Sequence, residues 1–524
     1  MAISSTLTPT LILLLIMSLQ PCTTPSSAST ITEFSGLSCL RVSPNRFIDS
    51  ANKVINLLQN VSYNLSPFTK VNQDNDNRLS NAISDCLELF DMAYENLKWS
   101  ISATQNHQDI PGNKNNGTGN LSSDLRTWIS AVLSYQETCI DGFEGTNSNV
   151  KDHVSGGLDQ VISLVKNELL LQVVPDSDPS NISNSGEFPS WVKAEDEKLL
   201  QQDAPPPPAD VVVAADGSGN YTTVMDAVKD APEYNMTRYV IHVKKGIYKE
   251  YVEIKKKKWN IMIVGDGMDV TTISGNRSYG HDNITTFRTA TFAVSAIGFI
   301  ARDITFENTA GPENKQAVAL RSDSDLSVFY RCGIKGYQDS LYAHSQRQFY
   351  KECRIRGTVD FICGNAAAVF QNCLIQPKKP LKDQKNTIAA QSRTHPNQTS
   401  GFSFHNCTII PDPDFQPSNG SIQTFLGRPW KNFSRTVFME SFMSEMIHPE
   451  GWLEWETNTT YDDTLFFGEY QNKGPGSGVA NRVKWRGYHV LNNSQAMDFT
   501  VNQFIKGDLW LPSTGVSYNA GLLV

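Results

Sequence analysis

The sequence predicts two folds in one chain: an all-α four-helix bundle followed by an all-β, right-handed parallel β-helix. Three observations carry this. Apolar residues recur at spacings of three and four from about Ser35 to Leu171, the mark of amphipathic helices. A stretch rich in Pro, Ser and Asn then breaks all periodicity. Beyond it, short β-forming runs repeat: FYRCGIKGYQDSLY, FYKECRIRGTVDFICG and VFQNCLIQP place Cys332, Cys353 and Cys373 at matching positions, 21 and 20 residues apart. A self-similar period of that length means a stacked solenoid, because no single turn can bury its apolar face alone.

In chain order, residues 1–28 read as an export signal. Leu11–Leu19 is a short apolar core, followed by Pro21 and small residues to Ala28, although Lys and Arg are missing from its start. The run is too short to span a bilayer, and no other segment is long enough, so a secreted chain without a membrane anchor is expected. Residues 29–171 should form the bundle. Its four apolar faces are Val54/Ile55/Leu58, Ile83/Cys86/Leu87/Phe90, Leu125/Trp128/Ile129/Val132 and Leu158/Val161/Ile162/Val165. Polar joins such as Asn106–Asn120 suggest antiparallel packing, and Cys86 with Cys139 can tie two helices together. No dense group of acids, bases or nucleophiles lies here, which favours a binding or inhibitory role. Residues 172–209, including APPPPAD, form an extended linker. From 210 to 524, runs such as YVIHVKKGIY, NIMIVGDG and TFAVSAIGFIARDITFEN are too dense in strands for βαβ units and lack hairpin alternation. A parallel β-helix fits them better than its competitor, an antiparallel sandwich. A short amphipathic stretch stands near Met497–Ile505.

The net charge of −9 offers no electrostatic case for nucleic acid. The KKKK run at Lys255–Lys258 reads as a solvated edge. Cys22 leaves with the export signal, and eight of the nine Cys remain. Export favours disulfides, and Cys353 and Cys373 occupy neighbouring rungs at a Cα separation a disulfide tolerates. No His/Cys cluster has metal-binding spacing, so neither metal nor cofactor is expected. Fifteen N-x-S/T sequons, among them Asn60, Asn116, Asn181, Asn283 and Asn458, suit a secreted glycoprotein.

The repeat aligns two acids. Asp339 and Asp360 each lie seven residues after their Cys, so they share one position on adjacent turns, about 5 Å apart by the strand spacing. Two carboxylates that close cannot both ionise freely; one keeps its proton while the other attacks or accepts. Stacked Asp residues also cap solenoid corners, so the neighbours matter. Gln338 precedes Asp339, and Tyr342 and Phe361 flank the pair. Gln316 in QAVALR sits one turn upstream, Arg428 and Trp430 sit in LGRPW, and Thr286 in TTFRTATF. Side-chain amides beside an Asp pair suit an oxyanion. An Arg can hold one Asp ionised, and a Trp face can carry a sugar ring. Taken singly, Gln316 could be a turn residue, Arg428 a surface ion pair and Trp430 core.

QAVALR, GYQDSLY, GTVDFICGNA and LGRPW together resemble the motifs of plant pectin methylesterases. The helical region resembles the inhibitor-like pro-region that plant members of that family carry. The resemblance implies a carboxylic ester hydrolase on a parallel β-helix, acting on methyl-esterified homogalacturonan in the plant cell wall and releasing methanol. It implies Asp360 as nucleophile, Asp339 as proton donor and acceptor, and Gln316 and Gln338 at the oxyanion. Arg428 would orient Asp360, and Thr286, Gln316, Arg428 and Trp430 would contact substrate. It also implies a Cys353–Cys373 disulfide. Four positions depart from the family pattern. Ser340 replaces Thr, Cys363 replaces Phe, Cys39 has no second Cys nearby, and EDEKLLQ near 197–200 keeps half of the usual dibasic processing signal.

Two other readings remain. A pair of carboxylates about 5 Å apart also suits a retaining glycosidase, another kind of pectinase. A pectin-binding or inhibitor protein without turnover would keep the β-helix only as a scaffold.

Overall fold

The computed structural model describes residues 39–68, 77–106, 117–146, 149–175, 206–415, 422–455 and 463–523. The expected export signal, the processing segment near 197–200 and the sequons at Asn116, Asn181 and Asn458 lie outside the described residues.

Helix α1 runs from Pro44 to Leu65. Ser43 caps it by accepting from the Arg46 N–H at 3.4 Å, and Pro44 pre-sets the first turn. Phe47, Ala51, Val54, Ile55 and Leu58 make its buried stripe. Helix α2 spans Asn77–Asn106 and helix α3 spans Leu121–Asp141, the latter capped by the Asn120 side chain on Ser123 N–H at 2.9 Å. Helix α4 spans Val150–Leu164 and continues through a π-helical turn to Gln172. Cys86 and Cys139 form the disulfide that ties α2 to α3.

Helix α3 is buried on nearly every side. Leu125, Ile129 and Val132 are buried, but so are Asp124, Ser130, Ser134 and Gln136. A helix buried all round with polar residues on one face has two kinds of neighbour. Its apolar face packs in the bundle; its polar face meets the β-helix.

Among the described residues, the strands of 211–490 form three parallel sheets of eleven, seven and eight strands. Each strand pairs with the equivalent strand one turn on, the topology of a right-handed parallel β-helix. Stacking is in register. Phe329, Tyr350, Phe370, Phe404 and Phe438 lie one above another, their ring centroids 4.8, 4.7, 4.7 and 4.3 Å apart and their planes nearly parallel. Those steps match the strand spacing, so each turn presents the same side chain to the same place. The corners repeat as well. Arg331, Glu352, Asn372 and Asn406 all adopt the left-handed conformation, with φ between 49° and 56°, and each stands immediately before a Cys. A non-Gly residue in that region is uncommon; in-register stacking imposes it turn after turn.

The same register overturns the expected Cys353–Cys373 disulfide. Cys332, Cys353, Cys373 and Cys407 are buried free thiols in one ladder. The thiol of Cys353 donates to Phe329 O at 3.2 Å and that of Cys373 to Tyr350 O at 3.4 Å, each reaching a carbonyl of the preceding turn. The Cα spacing suits a disulfide, but side chains stacked in parallel keep their Cβ atoms about 4.8 Å apart, beyond the usual disulfide range.

Helices at Asn493–Met497 and Val501–Ile505 cover the outer face of the eleven-stranded sheet, where Val501, Ile505 and Trp510 pack on Val328, Phe349 and Val369.

The two cysteine sets should respond differently to substitution. Cys86→Ala with Cys139→Ala opens a loop of 53 residues and should cost about 4 kcal/mol of bundle stability by the loop-entropy relation. Cys353→Ala should cost only a small cavity, about 1–2 kcal/mol, and should lower by one the thiol count of the unreduced, denatured protein. Urea unfolding with thiol titration checks both.

Candidate active site

The seven-stranded sheet builds the site. Its strands Leu320–Ser322, Leu341–Ala343, Ile362–Gly364, Asn386–Gln391 and Thr424–Pro429 stack in order. Leu341 pairs with Ile362, and Ile362 with Ala389. Two residues earlier, the same register lines up Asp339, Asp360 and Thr387. Both acids sit in left-handed corners, with φ of 59° and 50°, which turn their side chains out of the sheet. Backbone bonds from Asp339 N to Val359 O at 3.1 Å and from Phe361 N to Thr387 O at 3.3 Å hold these corners together. Gly364 makes the return tight: a Cβ there would lie 2.1 Å from Ala343 O, so only glycine fits.

Asp360 is 4% exposed, and both of its oxygens are held. Arg428 grips it with two bonds, Nε to Oδ1 at 2.8 Å and Nη2 to Oδ2 at 2.6 Å. This is the fork geometry that makes Arg–carboxylate pairs strong. Thr387 adds a third: its hydroxyl donates to Asp360 Oδ1 at 2.6 Å while accepting from Asp360 N at 2.8 Å. Asp339 is 9% exposed. Burial and the neighbouring Asp360 charge push its carboxyl well above the ordinary range, and Arg428 opposes this only in part. The two acids therefore divide into a gripped carboxylate and a proton holder.

Gln316 and Gln338 stand on adjacent turns, joined by the bond from Ala317 N to Gln338 O at 3.1 Å, and both line the cavity with the Asp pair. The buried Oε1 of Gln316 accepts no bond. Thr286 opens a short 3-10 helix, Thr286–Thr289, on the cavity wall. Trp430 lies 6.2 Å from Tyr342 and 6.3 Å from Trp455, nearly parallel to the latter. The structure thus brings Thr286, Gln316, Gln338, Asp339, Asp360, Arg428 and Trp430 to one cavity of about 190 Å³. In the sheet behind them Tyr342, Cys363, Ala390 and Arg428 stand in register. Cys363 and Ala390 leave a hollow in the floor between the larger side chains.

Sequence reasoning missed two groups. Thr387 lies in an ordinary β run, and only the register sets it beside Asp360. Trp455 follows the last motif by 25 residues and stacks on Arg428, whose guanidinium lies 4.3 Å from its ring centre.

The bundle closes the cavity. Helix α3 and the turn after it contribute Thr138, Asp141, Gly142 and Glu144 to the lining, and α2 contributes Asp85. Thr138 Oγ1 meets His344 Nε2 at 2.7 Å, and Asn365 donates to Ser134 Oγ at 2.8 Å. Asp141 pairs with Lys431 at 2.8 Å, next to Trp430. At the far end of α3, Arg347 bridges Asp124 and Asp325 at 2.6 Å each, and Trp128 Nε1 donates to Asp325 at 3.1 Å.

Comparison with known proteins places both regions. The family model described as Pectinesterase matches residues 210–508. The model described as plant invertase/pectin methylesterase inhibitor matches residues 17–171. A pectinesterase/pectinesterase inhibitor from Prunus persica is 58% identical over 498 residues, covering 95% of this chain and 93% of its own. A probable pectinesterase/pectinesterase inhibitor from Arabidopsis thaliana is 54% identical over 509 residues, covering 93% and 95%. Among solved structures, a pectin methylesterase from carrot is 50% identical with a TM-score of 0.60; the match covers 61% of this chain and 100% of the carrot chain.

The assignment of the proton to Asp339 is open to direct titration. Replacing Asp360 with Asn removes the like charge and leaves Arg428 in place. The Asp339 carboxyl should then titrate lower in carboxyl-carbon NMR. An unchanged or higher value would mean that Asp360 does not act on it.

Proposed function

Because the chain belongs to the pectinesterase family and carries a pectin methylesterase inhibitor domain, we propose that it de-esterifies methylated homogalacturonan through Asp360 as nucleophile. The observation that carries this is the unequal pair: Asp360 gripped by Arg428 and Thr387, with a proton-holding Asp339 one rung away. A carboxylate oxygen of Asp360 attacks the ester carbonyl, and the tetrahedral oxyanion is met by the amide groups of Gln316 and Gln338. The C–OCH3 bond breaks, Asp339 gives its proton to the leaving methoxide, and methanol departs. The acyl-enzyme is an anhydride. Asp339, now a base, takes a proton from water as the water attacks. Asp360 leaves as a carboxylate, and the sugar keeps a free carboxyl group. Trp430 and Thr286 contact the sugar rings on either side.

The inhibitor domain restrains this activity in the same chain. Thr138, Asp141 and Glu144 line the space a sugar ring would enter, so substrate and bundle compete for one cleft. Export to the plant cell wall, and release of the bundle by cleavage near 197–200, complete the reading. No helix among the described residues is long and apolar enough to cross a membrane.

Methanol release from highly methylated pectin tests it. Residues 210–524 should be active, and the full chain at least about tenfold less so, since an occluding domain acts as a competing ligand. Equal rates would remove the restraint; no methanol from either would remove the esterase. Asp360→Asn should lower kcat by about 10³-fold or more, with unchanged thermal melting. Asp339 works protonated in the first step, and its carboxyl is raised. In residues 210–524, kcat/KM should therefore fall as pH rises through that raised range. Asp339→Asn should abolish this alkaline limb along with most of the turnover.

A further inference from the structure

The KKKK run has a role that the esterase chemistry does not use. Its four lysines separate into two pairs. Lys258 donates to Lys229 O at 2.7 Å and to Ala231 O at 2.5 Å, closing the end of the helix Val224–Asp230, and Lys257 faces Glu233 at 3.9 Å. Lys255 and Lys256 turn the other way, toward α2. Lys255 meets Glu88 at 3.0 Å, and Lys256 meets Asp91 at 3.0 Å and Glu95 at 2.8 Å. Arg288 joins them, reaching Glu88 at 3.4 Å and bonding Asp85, which also accepts from Thr285.

These cations stand on the cleft side of the β-helix. Lys255 follows the strand Val252–Ile254, which pairs with Phe292–Val294, itself paired with Leu320–Ser322. That places Lys255 three rungs, about 14 Å, from the strand that begins after Asp339. Arg288 lies on the short helix that starts with Thr286, and its partner Asp85 lines the catalytic cavity. The cations therefore form a row leading out of the cavity. Their nearest acid on the β-helix itself is Glu253, 2.5 Å from Lys255; among the described residues, the other carboxylates that pair with the row come from the bundle.

The bundle's side is equally ordered. Asp85, Glu88, Asp91 and Glu95 follow at spacings of three, three and four, so they form one stripe with about one carboxylate per helical turn. A stiff rod with a carboxylate at each regular step is what de-esterified galacturonan offers, one per sugar. Methylated galacturonan of the same length is neutral and offers the row nothing.

Resting on the pectinesterase reading, we propose that Lys255, Lys256 and Arg288 form a binding track for de-esterified, polyanionic galacturonan at one end of the cleft, and that the acidic stripe of α2 occupies this track as a mimic of it. Residues 210–524 carry 33 Lys and Arg against 31 Asp and Glu, so a polyanion is drawn by local cations rather than by overall charge, and this row supplies them where the polymer enters. Acidic stretches of the substrate are then held beside the catalytic pair, and the bundle is held by the same cations.

Residues 210–524 can be used alone for the test. They contain their own apolar cores, and the carrot chain they match is covered from end to end. The probes are an unesterified oligogalacturonide and its fully methylated counterpart, titrated calorimetrically at low and physiological salt. Lys255→Ala/Lys256→Ala/Arg288→Ala should weaken the unesterified oligomer about tenfold or more and flatten its salt dependence. The methylated oligomer should shift less than about threefold. Lys255→Arg/Lys256→Arg/Arg288→Lys should restore the affinity, and the remote Lys484→Ala should match the parent. In the full chain, Glu88→Gln/Asp91→Asn/Glu95→Gln should raise methanol release several-fold. Unchanged affinity for the unesterified oligomer in the triple alanine variant, or equal loss for both oligomers, would overturn the track. Lack of methanol release by the parent 210–524 region would instead overturn the esterase reading, so the two failures are distinguishable.

Discussion

In-register stacking at about 4.8 Å per turn is the constraint on which the rest of the molecule depends. It produces the aromatic column from Phe329 to Phe438 and the ladder of buried thiols. It also creates the chemical problem that the site resolves. Equivalent residues on successive turns are forced together whatever their charge, so Asp339 and Asp360 become neighbours in a buried place. A buried like-charge pair does not stay doubly ionised. Arg428 and Thr387 set the two acids apart: Arg428 grips Asp360 with two bonds and Thr387 adds a third. The asymmetry comes from position: Thr387 stacks next to Asp360, and the Arg428 strand lies beyond it, on the side away from Asp339.

The bundle exploits a surface shaped by the same repetition. Rows of equivalent residues run along the β-helix, and α3 lays its polar face across one of them. Thr138, Ser134 and Asp141 meet His344, Asn365 and Lys431. Partly buried polar contacts of this kind add little net stability, since desolvation offsets most of the attraction, but they penalise a wrong register. Arg347 is the extreme case. It is buried and shared between Asp124 of the bundle and Asp325 of the β-helix, so shifting the bundle by one turn would strand charges on both sides.

How far the sequence could be read depended on the range of the interaction. Helix periodicity and the rung period are local or nearly so, and each appeared in the structure as expected, as did the Cys86–Cys139 link between two helices that periodicity had already marked. The acid pair was legible because the repeat that aligns Asp339 with Asp360 is itself written in the sequence. The expected Cys353–Cys373 disulfide used the same repeat and was wrong. Spacing along the chain fixes how near two Cα atoms come, but parallel side-chain directions keep the sulfurs from bonding. Thr387 and Trp455 carry no local signal, since each is significant only for what lies across a rung or a loop from it.

The sequence by itself determined the two architectures, the turn length, and thereby which residues can be neighbours: periodicity is a one-dimensional property, and burial enforces it. Only the tertiary structure decided the chemistry within that neighbourhood and the fate of the basic run. A lysine run is solvated or engaged according to what faces it, and the acids facing Lys255 and Lys256 lie more than 150 residues away, on a helix whose docking no local pattern encodes.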